Sequence, residues 1–248
     1  MLLDIHTHHR PAVPGESILN VEPRELLAGT ENQDVLLSFH CRGGVCPPEC
    51  IHDYIIRNVI GRANPAPTEE GYYSVGIHPW RASEAGLEEW ESLEEAVKHP
   101  AVLAIGEAGL DKLTSTDFSL QREVFIKQIF LSESIEKPLV IHCVKSFNEL
   151  IELKKKYRPR MPWVVHGFRN NLNIARRLMN EGIHLSLGEK YQADVLQSIP
   201  LERLLTETDE SVLGIHTLIE RMAEARGLEA NDLCNRIDQN ARKIFFKR

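Results

Sequence analysis

Six side chains able to bind a metal recur at the ends of short apolar runs: His6, His8, Glu107, His142, His166 and Asp209. His6 and His8 are two apart and project from one face if the strand persists. Glu107 follows VLAIG (102–106), His142 ends PLVIH (138–142), His166 ends WVVH (163–166), and Asp209 comes just after RLLTE (203–207). Four imidazoles with two carboxylates suit Zn, Mn, Fe or Ni better than Ca, which takes all-oxygen ligation. Six ligands are too many for one open tetrahedral site. They fit two ions roughly 3.5–4 Å apart that share a carboxylate. Each residue alone has a plainer reading, as a hydrogen-bonding strand-end histidine or an ion-pairing glutamate. Their joint order and position point to a metal centre.

Such a centre needs elements that bring distant residues together. Eight runs read as strands: 2–6, 35–39, 73–77, 102–106, 138–142, 163–166, 184–187 and 203–207. Their near-continuous apolar character suits a parallel sheet buried on both faces. Amphipathic segments at 84–98, 117–136, 146–157, 170–181 and 214–226 alternate with them. Thr116 or Asp117 is placed to cap the second of these helices, and Ser146 with Glu149 reads as a capping box for the third. Strands alternating with helices over the whole length predict an α/β fold, a single (β/α)8 TIM-like barrel spanning 1–248. Active sites in that fold lie where the strand C-termini meet. A doubly wound sheet is the rival, but no G-x-G-x-x-G or P-loop supports a nucleotide-binding version of it. The least regular stretch, about 41–71, reads as a Cys/Pro/Gly-rich insertion between strands 2 and 3.

Composition narrows the function further. The net charge of −7 excludes a generally basic nucleic-acid coat, so any such contact is local and metal-assisted. Five cysteines cannot all pair internally, MLLDIHTHHR lacks the apolar core of a signal peptide, and no run is long enough to span a membrane. A cytoplasmic location is the expectation. Nothing in the sequence indicates an oligomeric state.

The segments DIHTHH (4–9), GIHPW (76–80), AIGEAGLD (104–111), QREVFIKQIFLSE (121–133), PLVIHC (138–143), VVHGF (164–168), LLTETD (204–209) and NARKIF (240–245) resemble the TatD family of metal-dependent hydrolases. GEAGLD followed by a Q-x-x-x-F-x-x-Q helix is the specific part. The resemblance implies that His6, His8 and Asp209 bind one ion, that His142 and His166 complete a second site, and that Glu107 bridges. It also implies a deoxyribonuclease using Mg or another divalent ion, often a 3′-5′ exonuclease. The family commonly has an Arg after the strand-5 histidine, where this chain has Val144 and then Lys145. Arg169-Asn170 stand where Ser-Gly is frequent, and His9 adds a third histidine to the first motif.

Asp209 is expected to orient the attacking water and take its proton, with Glu107 holding the ions together. Glu207 would orient a histidine from the neighbouring position. His78, at the end of strand 3, is the candidate phosphate contact, or else anchors the turn at Pro79. Lys145 and Arg169 are candidate cationic contacts, or else solvated surface residues. Trp80 could stack a base, although packing is the commoner use. Cys41, Cys46 and Cys50 do not match paired zinc-ligand spacing, so they read as a thiol-bearing loop. The expected substrate is a nucleic acid or a small phosphoester. The alternatives are a metal-dependent hydrolase of a small amide, ester or lactone, and a metal-binding scaffold without turnover.

Overall fold

The computed structural model describes residues 3–8, 17–24, 40–41, 44–45 and 72–246. Eight strands form one parallel sheet in chain order: β1 (Asp4–Thr7), β2 (Ser17–Val21), β3 (Tyr72–Val75), β4 (Val102–Asp111), β5 (Leu139–Val144), β6 (Trp163–Val165), β7 (His184–Leu187) and β8 (Leu204–Thr206). A parallel bridge between Thr7 and Asp209 joins the last strand's end to the first and curls the sheet round on itself. The barrel expectation therefore holds.

One strand was misread. The second position in the sheet belongs to β2, Ser17–Val21, which pairs with β1 and β3, and not to the run 35–39. That run lies outside the described residues. SILNV lacks the continuous apolar character sought in a buried parallel strand, because Asn20 is polar; its side chain accepts a hydrogen bond from Ser74 Oγ at 3.1 Å. His40–Cys41, at the start of the stretch read as an irregular thiol-bearing loop, pairs antiparallel with Gly44–Val45.

Five helices fall on the predicted amphipathic segments, α1 (Leu87–Ala96), α2 (Phe118–Ile135), α3 (Phe147–Tyr157), α4 (Leu172–Asn180) and α6 (Ile215–Arg226), and two lie outside them, α5 (Ala193–Ser198) and α7 (Ala230–Phe245). A 3-10 segment, Pro79–Glu84, follows β3. Asp117 caps α2 by accepting from Leu120 N at 2.9 Å, as the sequence predicts. Ser146 occupies the N-cap of α3, but its hydroxyl donates to Leu110 O at 2.8 Å and so ties the ends of β4 and β5 together.

The core has two parts. Ile105, Ile141, Val165 and Leu204 pack with Phe125, Leu150, Leu178 and Ile219 from the surrounding helices. Ile18, Tyr72, Leu103, Val140, Val164 and Leu205 gather against Ala241, Ile244 and Phe245 of α7. Side chains alternate along a strand, so Val140 shares a face with His142, Val164 with His166, and Leu205 with Glu207. The face that is apolar at the base becomes polar two residues further on. Among the described residues no helix is long and apolar enough to cross a membrane.

Candidate metal centre

All six predicted ligands converge at the C-terminal ends of the strands, around Glu107. This carboxylate is 6% exposed, and its two oxygens face different partners. Oε1 lies 2.7 Å from His142 Nδ1, 2.7 Å from His166 Nε2 and 3.3 Å from His78 Nε2. Oε2 lies 3.6 Å from His6 Nε2 and 3.5 Å from His8 Nε2. Asp209 Oδ1 completes the second side, 3.9 Å from His6 Nε2 and 3.7 Å from His8 Nε2.

The strand seam fixes Asp209. Its N–H donates to His6 O at 3.1 Å, and its own carbonyl accepts from His8 N at 3.4 Å. Its backbone takes φ 50°, a left-handed conformation that Asp adopts more readily than most residues. Beneath the seam, Asp4 accepts from Thr208 N at 3.1 Å and from Thr208 Oγ1 at 2.7 Å. Burial pushes the Asp4 carboxyl up to about 7, against the opposing pull of these Thr208 hydrogen bonds.

Close approach of β4 to β5 depends on glycine. A Cβ on Gly109, at φ 148°, would lie 2.0 Å from His142 O. One on Gly106 would lie 2.7 Å from Val140 O. The glycines of GEAGLD therefore let Glu107 and His142 share one layer.

The donor set fits divalent cations. His6 is fully buried, and neither of its ring nitrogens has a hydrogen-bond partner. A buried nitrogen left unpaired costs free energy, and separations of 3.5–3.9 Å from its Nε2 and that of His8 to the two carboxylates are too long to compensate. They suit donors around a common ion with bonds of about 2.0–2.2 Å. Three overlapping donor groups stand out among the described residues: His6–His8–Glu107, His6–His166–Asp209 and His78–Glu107–His142. Burial, then the neighbouring His166, holds His6 well below its usual range, keeping the ring neutral as a ligand must be. For Glu107, burial acts to raise the carboxyl, but His166, His78 and the hydrogen bonds from His142 and His166 outweigh it and hold it well below the carboxylate range.

A second layer holds the ligands. Glu207, fully buried, accepts from Gly167 N and lies 3.4 Å from His166 Nδ1, consistent with an orienting carboxylate. Asp111 was missed in the sequence reading, where it appeared only as the end of GEAGLD. Its Oδ2 lies 3.0 Å from His142 Nε2 and accepts from Trp80 Nε1 at 2.7 Å. Gln121 and Gln128, seven residues apart on α2, supply the physical content of the Q-x-x-x-F-x-x-Q motif. Gln121 clamps the backbone N–H and C=O of Asp111 at 2.8 and 3.0 Å, and Gln128 clamps those of Ile77 at 2.8 and 3.0 Å.

His78 joins the centre directly. Its Nδ1 accepts from Trp80 N at 3.2 Å, so in the neutral ring the proton sits on Nε2, facing Glu107. Lys145 and Arg169 are exposed on the loops after β5 and β6, and neither forms an ion pair with the ligands among the described residues. Cys143 is half-buried, and burial pushes its thiol up to about 12, which makes it inert. His9, Cys46 and Cys50 lie outside the described residues.

Comparison with known proteins identifies the family. The profile described as TatD related DNase matches residues 50–246. An uncharacterized metal-dependent hydrolase of Bacillus subtilis is 28% identical over 70% of this chain and 77% of its own length. A 3′-5′ ssDNA/RNA exonuclease of Pantoea vagans is 27% identical over 69% of this chain and 76% of its own. A human 3′-5′ RNA nuclease is 34% identical over 54% of this chain, which is only 19% of the human protein. The crystal structure of a TatD homologue from Escherichia coli superposes over 100% of this chain and 98% of its own, with a TM-score of 0.73 at 20% identity, a likeness of fold. With the profile covering most of its length, the chain belongs to the family of TatD-related DNases.

Proposed function

We propose that the chain is a divalent-metal-dependent phosphodiesterase that removes nucleotides from the 3′ end of single-stranded nucleic acid. One observation carries the two-ion form of this reading. The two oxygens of Glu107 are divided between His142 and His166 on one side and His6 and His8 on the other. In this reading His6, His8 and Asp209 would hold one ion and His142 and His166 the second, with Glu107 between the two groups. Zn, Mg, Mn, Fe and Ni are the candidate ions, and the imidazole-rich donor set favours the transition metals. When bound, such ions lower the pKa of a coordinated water and offset charge on the phosphoryl oxygens.

The protein's own residues do the rest. Asp209 accepts the proton of the attacking water. Its side chain is 37% exposed, so it faces both the ligands and the mouth. His78 donates its Nε2–H to a phosphoryl oxygen. Glu207 and Asp111 fix the rings of His166 and His142. Lys145 and Arg169, on adjacent loops, attract the phosphate chain from outside. The named activities of the Pantoea and human relatives support nucleic acid as the substrate class. Residues 1–248 are taken as one domain.

The test is hydrolysis of a 5′-labelled oligonucleotide with added divalent ion. Shortening from the 3′ end is expected, abolished by chelator and reduced about 100-fold or more in Asp209→Asn. Full metal loading with no phosphodiesterase activity, alongside turnover of a non-phosphate ester or lactone, would overturn the reading.

A further inference from the structure

We infer that Trp80 is a nucleobase platform beside the metal centre, and that it makes the enzyme prefer a nucleotide over a bare sugar-phosphate. This inference rests on the nuclease reading above and adds a recognition site to it.

Trp80 is 39% exposed, an unusual state for so large an apolar ring beside a cluster of histidines and carboxylates. It is nonetheless rigid. Its indole Nε1–H donates to Asp111 Oδ2 at 2.7 Å, its backbone N–H donates to His78 Nδ1 at 3.2 Å, and its carbonyl accepts from Thr116 Oγ1 at 2.8 Å. The indole bond to Asp111 fixes the ring, and the two backbone bonds, to the neighbouring His78 and to Thr116 beyond β4, fix the segment that carries it, while part of the ring surface stays open.

Its position relative to the ligands gives the ring a use. The Trp80 centroid lies 5.2 Å from that of His78 and 6.3 Å from that of His142. Both histidines meet Glu107. A phosphodiester bound at the centre beside Glu107, with His78 donating to it, would therefore present its attached nucleoside close to the indole. An aromatic face takes any base, because every base has a π-face, so this contact binds without reading sequence. It also suits an acidic chain: the net charge of −7 gives little general attraction for a polyanion, and stacking needs no positive charge. Leu113, on the loop after β4, is 72% exposed, and its N–H donates to Asp111 Oδ1 at 2.7 Å, so a second exposed apolar residue stands two positions along from that carboxylate.

The experiment compares two 5′-labelled strands of equal length, oligothymidylate and a strand of abasic tetrahydrofuran nucleotides, with the same divalent ion. Wild type is expected to cleave oligothymidylate with the higher kcat/KM. Trp80→Ala should lose about 10-fold of that preference, mainly through KM. Trp80→Phe keeps an aromatic face but loses the bond to Asp111, and should restore most of the preference. That result separates stacking from support of Asp111. Wild-type cleavage of both strands with equal kcat/KM, or a Trp80→Ala loss that is the same on both, would overturn the platform while leaving the nuclease reading intact. Failure of wild type to cleave either strand would overturn the nuclease reading and the platform with it.

Discussion

A carboxylate almost wholly buried among five imidazoles is tolerable only if its charge is shared, and Glu107 shares its two oxygens between two groups of rings. The candidate ligand types were legible in the sequence because each sits at the end of a recognisable apolar run. The residues that hold the ligands were not, because spacing does not reveal which side chains meet. Asp111 is the clearest case. Its carboxylate touches His142, Trp80 and the Leu113 N–H at once. Burial acts to raise its carboxyl, but the hydrogen bonds from His142 and Trp80 outweigh it and hold the group well below the carboxylate range. Asp111→Asn can still accept from Leu113 N, but it loses the charge that orients His142. Its apparent affinity for divalent ions, measured by calorimetric titration of metal-free protein, is expected to fall about 10- to 100-fold. An unchanged affinity would reduce Asp111 to a local turn cap.

At the scale of elements, α2 acts as a splint. Gln121, Phe125 and Gln128 are buried on it, and the two amides satisfy backbone groups just past β3 and at the end of β4. Those are the segments that carry His78 and Asp111. The helix itself was readable from Asp117 and its periodicity. The purpose of its glutamines was not, because their partners are 10 and 51 residues away. Gln128→Leu fills similar space but leaves the buried N–H and C=O of Ile77 unpaired. The expected cost is about 2 to 4 kcal/mol in chemical denaturation, with reduced metal-dependent activity from displacement of His78. A loss below about 0.5 kcal/mol would show that water or another group replaces the amide. The misplaced second strand teaches the complementary lesson. A barrel strand with an inward polar residue, Asn20 against Ser74, escapes a search for continuous apolar runs.

For the whole molecule, the eight-strand rhythm showed the architecture, while closure of the sheet became visible only in the bridge from Thr7 to Asp209. That closure places Asp209 against His6 and His8. Acid stability should report one buried cost of the packed barrel. Burial, then Arg203 and Lys154, pushes His184 at the start of β7 down to about 4. Between about pH 6.5 and 4 the unfolded chain carries a proton on this ring that the folded chain does not, so stability falls as pH drops through that window. His184→Leu is expected to flatten the fall by up to about 3 kcal/mol, read from denaturation midpoints at pH 7 and pH 4. Equal slopes in both proteins would contradict the assignment. The central claim, that the strand ends hold two divalent ions across Glu107, is tested most directly by anomalous scattering from a crystal grown with manganese or zinc. The account predicts two peaks roughly 3.5–4 Å apart on either side of Glu107, one beside His6, His8 and Asp209 and one beside His142 and His166. A fully loaded crystal with a single peak, or with peaks away from Glu107, would contradict it.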